Sequence, residues 1–274
     1  MNFQDIIQKL NQYWARQGCA LAQPYGPEKA SAEFSPAVFF GALRPGPSAF
    51  ACVEACRRPA GPARQYQYQV FMKPPAPDMQ RVCAGAFRAA GLDLAEHDLR
   101  WIPEDWSSPA LGASGPGWEL RLDGQPFARF VYLQAVASRP LDGPAALLTC
   151  GLERLAMAAQ GKRDVMQLRW TDRLTYGDVH GGAHEQFSRY DLEEADAQGL
   201  RALFSVCERE VPRLASAGCW LPAFDLLLKA SYSMDLLAAR RSLSADDKPA
   251  MVKRLAAMAG RCADACAAKG GRHG

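Results

Sequence analysis

The chain has 274 residues, 49% of them hydrophobic and 22% charged, and its formal net charge of +3 neither requires nor excludes a nucleic-acid partner. This length and composition are ordinary for a soluble globular protein of one large domain or two smaller ones. The nine cysteines include no Cys-x-x-Cys pair and no matching histidine pattern, so a zinc site is not expected. Their odd number predicts reduced thiols and a cytoplasmic protein.

The chain begins with a predicted amphipathic helix that Gly18 ends, followed by a strand over Cys19–Gln23 that Pro24 closes. The charged residues in the first 17 positions predict neither a signal peptide nor a membrane span. The helix carries more apolar area than one buried face needs, which predicts a dimer interface. The side chains that form this surplus are Phe3, Ile7, Tyr13 and Trp14.

Two strands, Phe50–Glu54 and Tyr66–Lys73, are predicted to form a hairpin joined by a loop rich in proline and glycine. Before them, Val38–Leu43 is a short apolar run. Arg57 and Arg58 stand next to each other where the first strand enters the loop. The hairpin therefore carries two adjacent cations at its base.

Three glutamines, Gln65, Gln67 and Gln69, alternate with aromatic and aliphatic residues along the second strand of this hairpin. Because successive side chains in a strand point to opposite faces, the three amides share one face. Two interpretations remain open. A polar ligand lies across this face of the sheet, or the amides face solvent as they do in many amphipathic strands.

The middle of the chain is predicted to hold a helix over Asp78–Ala90 and a short strand over Leu99–Ile102. A polar loop around a tryptophan follows at residues 104–109. Residues 112–117 are predicted to form a glycine-rich loop, which lacks the Lys-Ser/Thr of a P-loop. The turn dipeptide Asp123-Gly124 predicts a second hairpin. Its strands are Trp118–Leu122 and Pro126–Val136.

A short buried strand, Ala145–Leu148, is predicted to run into a helix that begins just after Gly151 and ends at Gly161. Glu153 and Arg154 fall in the first turn of this helix. A helix N-terminus favours anions, so a cation there is explained if Arg154 reaches an anionic ligand at the strand end. The alternative is an ordinary amphipathic helix with both charges in water.

The C-terminal third of the chain is predicted to form three helices. They span Leu192–Arg213, Pro222–Arg241 and Ala245–Lys269. Upstream of them, His180 and His184 have the i, i+4 spacing of a metal-binding pair. The two glycines between these histidines argue against a helix, so this segment is predicted to be a loop.

These features together resemble the catalytic α subunit of the bacterial heterotetrameric glycyl-tRNA synthetase, a class II aminoacyl-tRNA synthetase. The first helix and the strand after it resemble motif 1, a dimer element. The hairpin with Cys56–Pro59 resembles motif 2, and Gly151–Arg154 resembles motif 3. Further stretches similar to this family are Leu99–Trp101, Glu104–Trp106, Gly117–Glu119, Thr175–Val179 and Leu236–Arg240. The shared order and spacing of these stretches carry the resemblance.

The resemblance implies an α+β fold, in which a mainly antiparallel sheet of six or seven strands is flanked by helices. Residues 1–185 would form the catalytic domain and residues 186–270 a C-terminal helical domain. The implied activity is that of a glycine–tRNA ligase, which activates glycine or another small amino acid with ATP and transfers it to tRNA. The implied partners are a second copy of the chain and a β subunit that carries most of the tRNA recognition, in an α2β2 assembly with no membrane contact.

The resemblance also implies the site residues. Arg58, with Arg57 as the adjacent candidate, would bind the α-phosphate of ATP. Arg154 would bind the γ-phosphate or stack near the adenine, beside Glu153 in the same nucleotide site. One or more Mg²⁺ ions, with no protein ligands assigned, would bridge the phosphates. The amino-acid-binding positions would be Glu33, Gln67, Gln69, Trp106, Glu119, Gln134 and Glu153.

The sequence departs from the family pattern at three points. Glu33 replaces a threonine that helps to hold glycine, the motif 2 loop is shorter and less basic, and Ser114 replaces a tryptophan. If Glu33 enters the pocket, it repels the carboxylate of glycine or selects an amino acid with a further positive or hydrogen-bonding group. Because buried unpaired glutamates are rare, Glu33 is expected to face solvent instead.

Three functions are therefore compared. The first is the tRNA ligase described above. The second is a synthetase paralogue that forms an aminoacyl-adenylate and delivers the amino acid to another acceptor, such as a carrier protein or a small molecule. The third is a binding or regulatory relative without catalysis, which would have no need for two separate arginine sites. The features of the sequence favour the first function over the second, and the second over the third.

Overall fold

The computed structural model describes residues 1–26, 31–56 and 65–268, so Arg57 and Arg58 lie outside the described residues. Its α-helices are α1 (Phe3–Arg16), α2 (Pro36–Leu43), α3 (Met79–Ala89), α4 (Leu152–Gln160), α5 (Tyr176–Arg189), α6 (Ala197–Ser216), α7 (Trp220–Ala239) and α8 (Asp247–Ala268). Its strands are β1 (Ala20–Leu21), β2 (Ser48–Cys56), β3 (Gln65–Lys73), β4 (Leu99–Ser108), β5 (Ala113–Leu122), β6 (Gln125–Val136) and β7 (Arg139–Gly151). No helix within these ranges combines the length and the apolar character that crossing a membrane requires.

The strands form one sheet in the order β1-β2-β3-β7-β6-β5-β4. β1 runs parallel to β2, and every other neighbouring pair is antiparallel. Between β5 and β6, Asp123 and Gly124 both have positive φ, as the tight turn of an Asp-Gly hairpin requires. The predicted α+β fold with a mainly antiparallel sheet is confirmed.

One face of the sheet packs against α1, α3 and α4 around a single hydrophobic cluster. Phe3 and Trp14 are 1% and 0% exposed, and the Phe3 ring stacks on Trp170 with centroids 4.8 Å apart. The hydroxyl of Tyr13 donates a hydrogen bond to the carbonyl of Val82. Ile7 and Tyr13 are half-buried against the same cluster. Phe3 and Trp14 are therefore not exposed to a partner, which removes most of this argument for a dimer interface, and the homodimer stays a prediction.

The opposite face of the sheet packs in part against α2 and the C-terminal helices. Phe39 and Phe40 on α2 contact Phe224 on α7, with ring centroids 4.8 and 5.0 Å apart. One hydrophobic cluster contains both Phe71 of the sheet and Leu255 of α8. The C-terminal helices therefore share a core with the sheet. The division of the chain between residues 185 and 186 stays a prediction.

Two segments that were expected to be loops are strands. Residues 104–108 continue β4, and residues 113–117 begin β5, with Trp106 opposite Gly115. A Cβ atom on Gly115 would lie 1.9 Å from the carbonyl oxygen of Tyr132 on β6. The glycine therefore permits a close approach of two strand backbones, which a larger residue would prevent.

The histidine segment at 180–184 lies within α5, so the predicted loop is wrong. Thr175 and Asp178 form a capping box at the start of α5. These reciprocal hydrogen bonds offset part of the cost of two glycines inside the helix. One further expectation also differs, because the strand predicted at Cys19–Gln23 is reduced to β1. The apolar run Val38–Leu43, for which no element was predicted, lies within α2.

Candidate active site

The register of the strands places polar side chains next to one another on one half of a sheet face. One row contains Cys52 on β2, Gln69 on β3, Thr149 on β7, Arg129 on β6 and Glu119 on β5. Paired residues on neighbouring strands point to the same face, so these five side chains share it. The row two residues away on the same face is apolar and belongs to the cluster under α2. Its members include Phe50, Phe71, Leu147 and Val131.

An open cavity of about 380 Å³ lies over the polar half of this face. Predicted site residues from three strands, a helix and a turn line it together. They are Glu33, Gln67, Trp106, Glu119, Glu153 and Arg154. Gln65, Arg129 and Thr149 also line the cavity. Its size suits a small-molecule ligand, and its lining offers carboxylates, amides and guanidinium groups to that ligand.

Glu153 is the buried acid of the cavity, at 8% exposure. It lies in the first turn of α4, which begins directly after Gly151 at the end of β7. Its Oε1 accepts hydrogen bonds from the backbone N–H of Tyr66 at 2.7 Å and from the hydroxyl of Tyr176 at 3.0 Å. Burial raises the pKa of Glu153 to about 7, while both donors favour the charged form and oppose that rise. The carboxyl therefore titrates near neutral pH.

Arg154 follows Glu153 in the same turn and is exposed at the edge of the cavity. Its Nη1 donates a hydrogen bond to Oε1 of Gln125 at 3.2 Å. The interpretation that left both charges of this turn in water is wrong for Glu153, because that carboxyl is buried. Arg154 remains accessible to an anion entering the cavity.

Two of the three glutamines of β3, Gln67 and Gln69, are buried. The interpretation in which the amides face solvent is therefore wrong for these two. Gln67 is 3% exposed and lines the cavity. Gln69 is fully buried beneath it, and its Nε2 lies 3.4 Å from Oε1 of Gln67. Gln65 is half-buried and also lines the cavity. The polar-ligand interpretation is consistent with this placement.

Glu33 lies in a short 3₁₀ turn, Ala32–Phe34, and lines the cavity. Its neighbours Ala32 and Phe34 are buried in the core, which fixes the turn against the sheet. Glu33 itself is half-buried. The expectation that Glu33 is a solvated bystander stays a prediction, although the residue lies at the wall of the cavity.

The remaining predicted positions differ in their placement. Trp106 is 9% exposed, and Glu119 forms an ion pair with Arg121 at 2.7 Å. Both line the cavity. Gln134, by contrast, is exposed near the end of β6 and is not a lining residue. The structure brings Trp106 and Glu119 to the site and leaves Gln134 outside it.

Arg129 is a cavity residue that the reasoning from sequence missed. Its Nε donates to Oε1 of Glu104 at 2.5 Å, which pairs the guanidinium with a carboxylate across the sheet. The available signal was a cation between Phe127 and Val131 on the otherwise apolar face of β6. A charge at such a position points to a partner or a ligand on that face.

The sequence matches the model of the family described as "Glycyl-tRNA synthetase alpha subunit" over residues 3–270. This match spans nearly the whole chain. The chain belongs to this family. The resemblance stated from the sequence motifs is confirmed, and the protein is a member of an aminoacyl-tRNA synthetase family.

Two solved structures of pyrrolysyl-tRNA synthetase from Desulfitobacterium hafniense are similar to this member of the glycyl-tRNA synthetase alpha family. The first is 13% identical to this chain, and the alignment covers 64% of this chain and 72% of the synthetase chain, with a TM-score of 0.46. The second is 12% identical to this chain, and the alignment covers 64% of this chain and 75% of the synthetase chain, also with a TM-score of 0.46.

Carboxylates of the cavity lining are the candidate ligands for Mg²⁺ in this family member. In the described part of the chain, no group of three His, Cys, Asp or Glu side chains is arranged to hold a metal ion. Magnesium keeps several waters and is usually held by substrate phosphates with one or two carboxylates. Glu119 and Glu153 are carboxylates of the cavity lining, beside the exposed Arg154. They do not form a dedicated metal cage.

Proposed function

We propose that this family member is a glycine–tRNA ligase α subunit, which activates glycine with ATP and transfers it to tRNA together with a β subunit. One observation carries the proposal. The buried Glu153 and the exposed Arg154 share the first turn of α4 and line a polar cavity on the sheet. Membership of the family over residues 3–270 supports the same function.

The first step needs positioned charges rather than a side-chain nucleophile. A carboxylate oxygen of the amino acid attacks the α-phosphorus of ATP and forms a new O–P bond, while the bond to the leaving pyrophosphate breaks. Arg58 is proposed to bind the α-phosphate and Arg154 the γ-phosphate, with Arg57 adjacent. Preorganised guanidinium groups compensate charge on phosphate oxygens without reorganisation, and Mg²⁺ that arrives with ATP would supply further positive charge. Alignment of the two reactants supplies much of the remaining rate enhancement.

The amino acid is proposed to bind against the sheet beside the nucleotide. The carboxylates of Glu119 and Glu153 would accept hydrogen bonds from its ammonium group, and Gln67 and Trp106 would border it. In the second step, a terminal hydroxyl of tRNA attacks the carbonyl carbon of the adenylate, and AMP leaves. The assignment of Gln134 to this pocket has no support from its exposed position.

A second candidate function is favoured by Glu33. Its half-buried carboxylate lines the cavity, where it is unfavourable beside a substrate carboxylate and favourable beside a further cationic group. The shorter motif 2 loop also lacks most of the residues that would touch the acceptor end of tRNA. The alternative is therefore a paralogue that activates another amino acid and transfers it to a carrier protein or a small molecule.

The assembly and location are part of the same proposal. We infer a homodimer within an α2β2 assembly, a catalytic domain over residues 1–185 with a helical domain over residues 186–270, and a cytoplasmic protein. The β subunit would carry most of the contact with tRNA, so the net charge of +3 on this chain is no objection.

The deciding experiment is amino-acid-dependent exchange of pyrophosphate into ATP, measured with each of the twenty amino acids, followed by transfer to tRNA. Glycine-dependent exchange, and glycyl-tRNA formed when a β subunit is added, are expected. Exchange without any product on tRNA would favour the paralogue. A complete lack of exchange with every amino acid would favour the non-catalytic relative and overturn the proposal.

A further inference from the structure

Four buried side chains form a hydrogen-bond chain directly under the cavity. The Sγ of Cys56 lies 3.3 Å from Oε1 of Gln67 and donates to it. The Nε2 of Gln69 donates to the same oxygen at 3.4 Å and to the Sγ of Cys56 at 3.6 Å. At the far end, the Sγ of Cys52 lies 3.9 Å from Oε1 of Gln69. All four side chains are at most 5% exposed.

The chain of hydrogen bonds has a direction. Cys52 donates to the oxygen of Gln69, and the nitrogen of Gln69 and the thiol of Cys56 both donate to the oxygen of Gln67. The Oε1 of Gln67 therefore accepts two hydrogen bonds, and this end of the amide faces Cys56 and Gln69. Its Nε2, which carries two N–H groups, has no acceptor within the described residues.

The Gln67 amide nitrogen is a hydrogen-bond donor in a cavity with several carboxylates. The carboxylates of Glu33, Glu119 and Glu153 line the cavity and only accept hydrogen bonds when they are ionised. Of the two described guanidinium groups in the lining, that of Arg129 is already paired with Glu104. Gln67 lines the cavity, so a ligand oxygen there can accept a hydrogen bond from this N–H group.

We propose that Cys56 and Gln69 are positioning residues that orient Gln67, so that its Nε2 donates to a carboxylate or carbonyl oxygen of the amino-acid substrate. This inference rests on the proposed function of the site. Cys56 makes no contact with substrate in this scheme and acts through Gln67. The thiol is required as a donor, and a serine hydroxyl can replace it because it donates in the same direction.

The test separates amino-acid binding from nucleotide binding in the pyrophosphate exchange assay. Cys56→Ala removes one donor to Gln67 and is expected to raise the KM for the amino acid about three- to tenfold, with the KM for ATP unchanged. Cys56→Ser is expected to restore the KM for the amino acid towards the native value. Cys150→Ala is the matched control, because Cys150 is a buried thiol on the other face of the same sheet and is expected to leave both KM values unchanged.

Gln69→Glu tests the direction of the hydrogen bonds between residue 69 and Gln67. Burial raises the pKa of a carboxyl at this position, so the assay is run at a pH above that pKa, where the ionised group only accepts hydrogen bonds. Gln67 then has to turn its Nε2 towards residue 69 and its oxygen towards the cavity. The KM for the amino acid is expected to rise about tenfold or more, because a donor to the substrate is replaced by an acceptor. If this variant does not fold, the Cys56→Ala and Cys56→Ser pair decides the question alone.

The outcomes separate this inference from the function on which it rests. Lack of exchange with any amino acid in the native protein overturns both. Exchange in the native protein, with an unchanged amino-acid KM in Cys56→Ala and in folded Gln69→Glu, overturns the positioning role alone. Equal rises in the KM for ATP and for the amino acid, with no recovery in Cys56→Ser, indicate a purely structural role and also overturn it.

Discussion

The hydroxyl of Tyr176 donates a 3.0 Å hydrogen bond to Oε1 of Glu153, on the oxygen that also accepts from the backbone of Tyr66. These two donors come from α5 and β3, which are far apart in the chain, and they meet a carboxyl that burial would otherwise keep protonated. The acid at the start of α4 is therefore held at a pKa of about 7 by opposing effects.

The first prediction concerns stability and pH. Burial raises the pKa of Glu153 from 4.5 to about 7, so between these values the folded protein binds a proton that the unfolded chain has released. The free energy of unfolding should therefore fall as pH rises through this window. Glu153→Gln removes the titration and keeps an oxygen for both donors. We expect the variant to be more stable than the native protein at pH 8, by on the order of 3 kcal/mol, and nearly equal at low pH.

Urea unfolding of both proteins at several pH values measures this difference. Glu185→Gln is the control, because Glu185 is exposed on α5 and should change little at any pH. A stability difference between Glu153→Gln and the native protein that does not vary with pH would contradict the prediction. The same substitution should lower exchange activity, since it removes a charge from the proposed site.

The second prediction concerns activity and pH. Tyr176→Phe removes a donor that favours the charged form of Glu153, so the pKa of this carboxyl should rise further. If ionised Glu153 is needed, the acidic limb of the exchange profile should move to higher pH. A charge-assisted hydrogen bond of about 1.5 kcal/mol corresponds to a displacement of about one pH unit. A profile of kcat/KM that keeps its native acidic limb would contradict the role of this hydrogen bond.

The third prediction concerns the phosphate-binding arginines. Arg154→Ala and Arg58→Ala should each abolish adenylate formation, because each removes a charge that the proposed reaction gathers around the phosphates. For Arg154, an exposed residue, the unfolding free energy should change by no more than about 0.5 kcal/mol. Pyrophosphate exchange measures activity and circular dichroism checks the fold. Arg163→Ala, at an exposed arginine outside the cavity lining, should keep activity. Near-normal exchange in Arg154→Ala or Arg58→Ala would remove that residue from the phosphate site.

The fourth prediction concerns selection of the amino acid by Glu33. Glu33→Thr removes an anion from the cavity lining, so the KM for glycine should fall about fivefold, a change of about 1 kcal/mol. Exchange over all twenty amino acids, with the native protein and the variant, measures this effect. Glu96→Thr is the matched control at an exposed position outside the cavity. An unchanged KM for glycine would make Glu33 a bystander, and native preference for another amino acid would favour the paralogue.

The fifth prediction concerns the homodimer. β1 is an edge strand of the sheet, and its Leu21 is 46% exposed. A charge at that position should weaken an interface formed by the motif 1 elements, so Leu21→Lys should shift a dimer towards monomer. Leu174→Lys is the matched control, because Leu174 has the same exposure of 46% elsewhere on the chain. Light scattering at micromolar concentration reports the mass. A monomeric native protein, or an unaffected Leu21→Lys dimer, would contradict this interface.

Several elements of the fold were determined by short stretches of sequence. The Asp123-Gly124 turn was predicted because this dipeptide accepts the positive φ that a tight hairpin requires. The end of α1 near Gly18 and the placement of Glu153 and Arg154 in the first turn of α4 followed from periodicity and from glycine. The shared face of Gln67 and Gln69 followed from strand alternation. Each of these depends on backbone geometry within a few residues.

The resemblance to a synthetase family was also present in the sequence, through the order and spacing of its motifs, and the family match confirms it. It did not reveal which of the implied positions meet in space. Glu33 was expected in solvent and lines the cavity, whereas Gln134 was assigned to the pocket and lies outside it. Arg129 was not considered at all.

Only the tertiary structure decided these points, because they depend on burial and on register between distant strands. Gln69 lies opposite Thr149, and Thr149 lies opposite Arg129, through the pairing of β3 with β7 and of β7 with β6. Local patterns cannot specify such pairs, since each strand on its own has the same alternation in any register. The pKa of Glu153 has the same origin: its value near 7 comes from burial and from donors on β3 and α5. The sequence by itself therefore determined several of the elements and the family, and long-range packing determined the site.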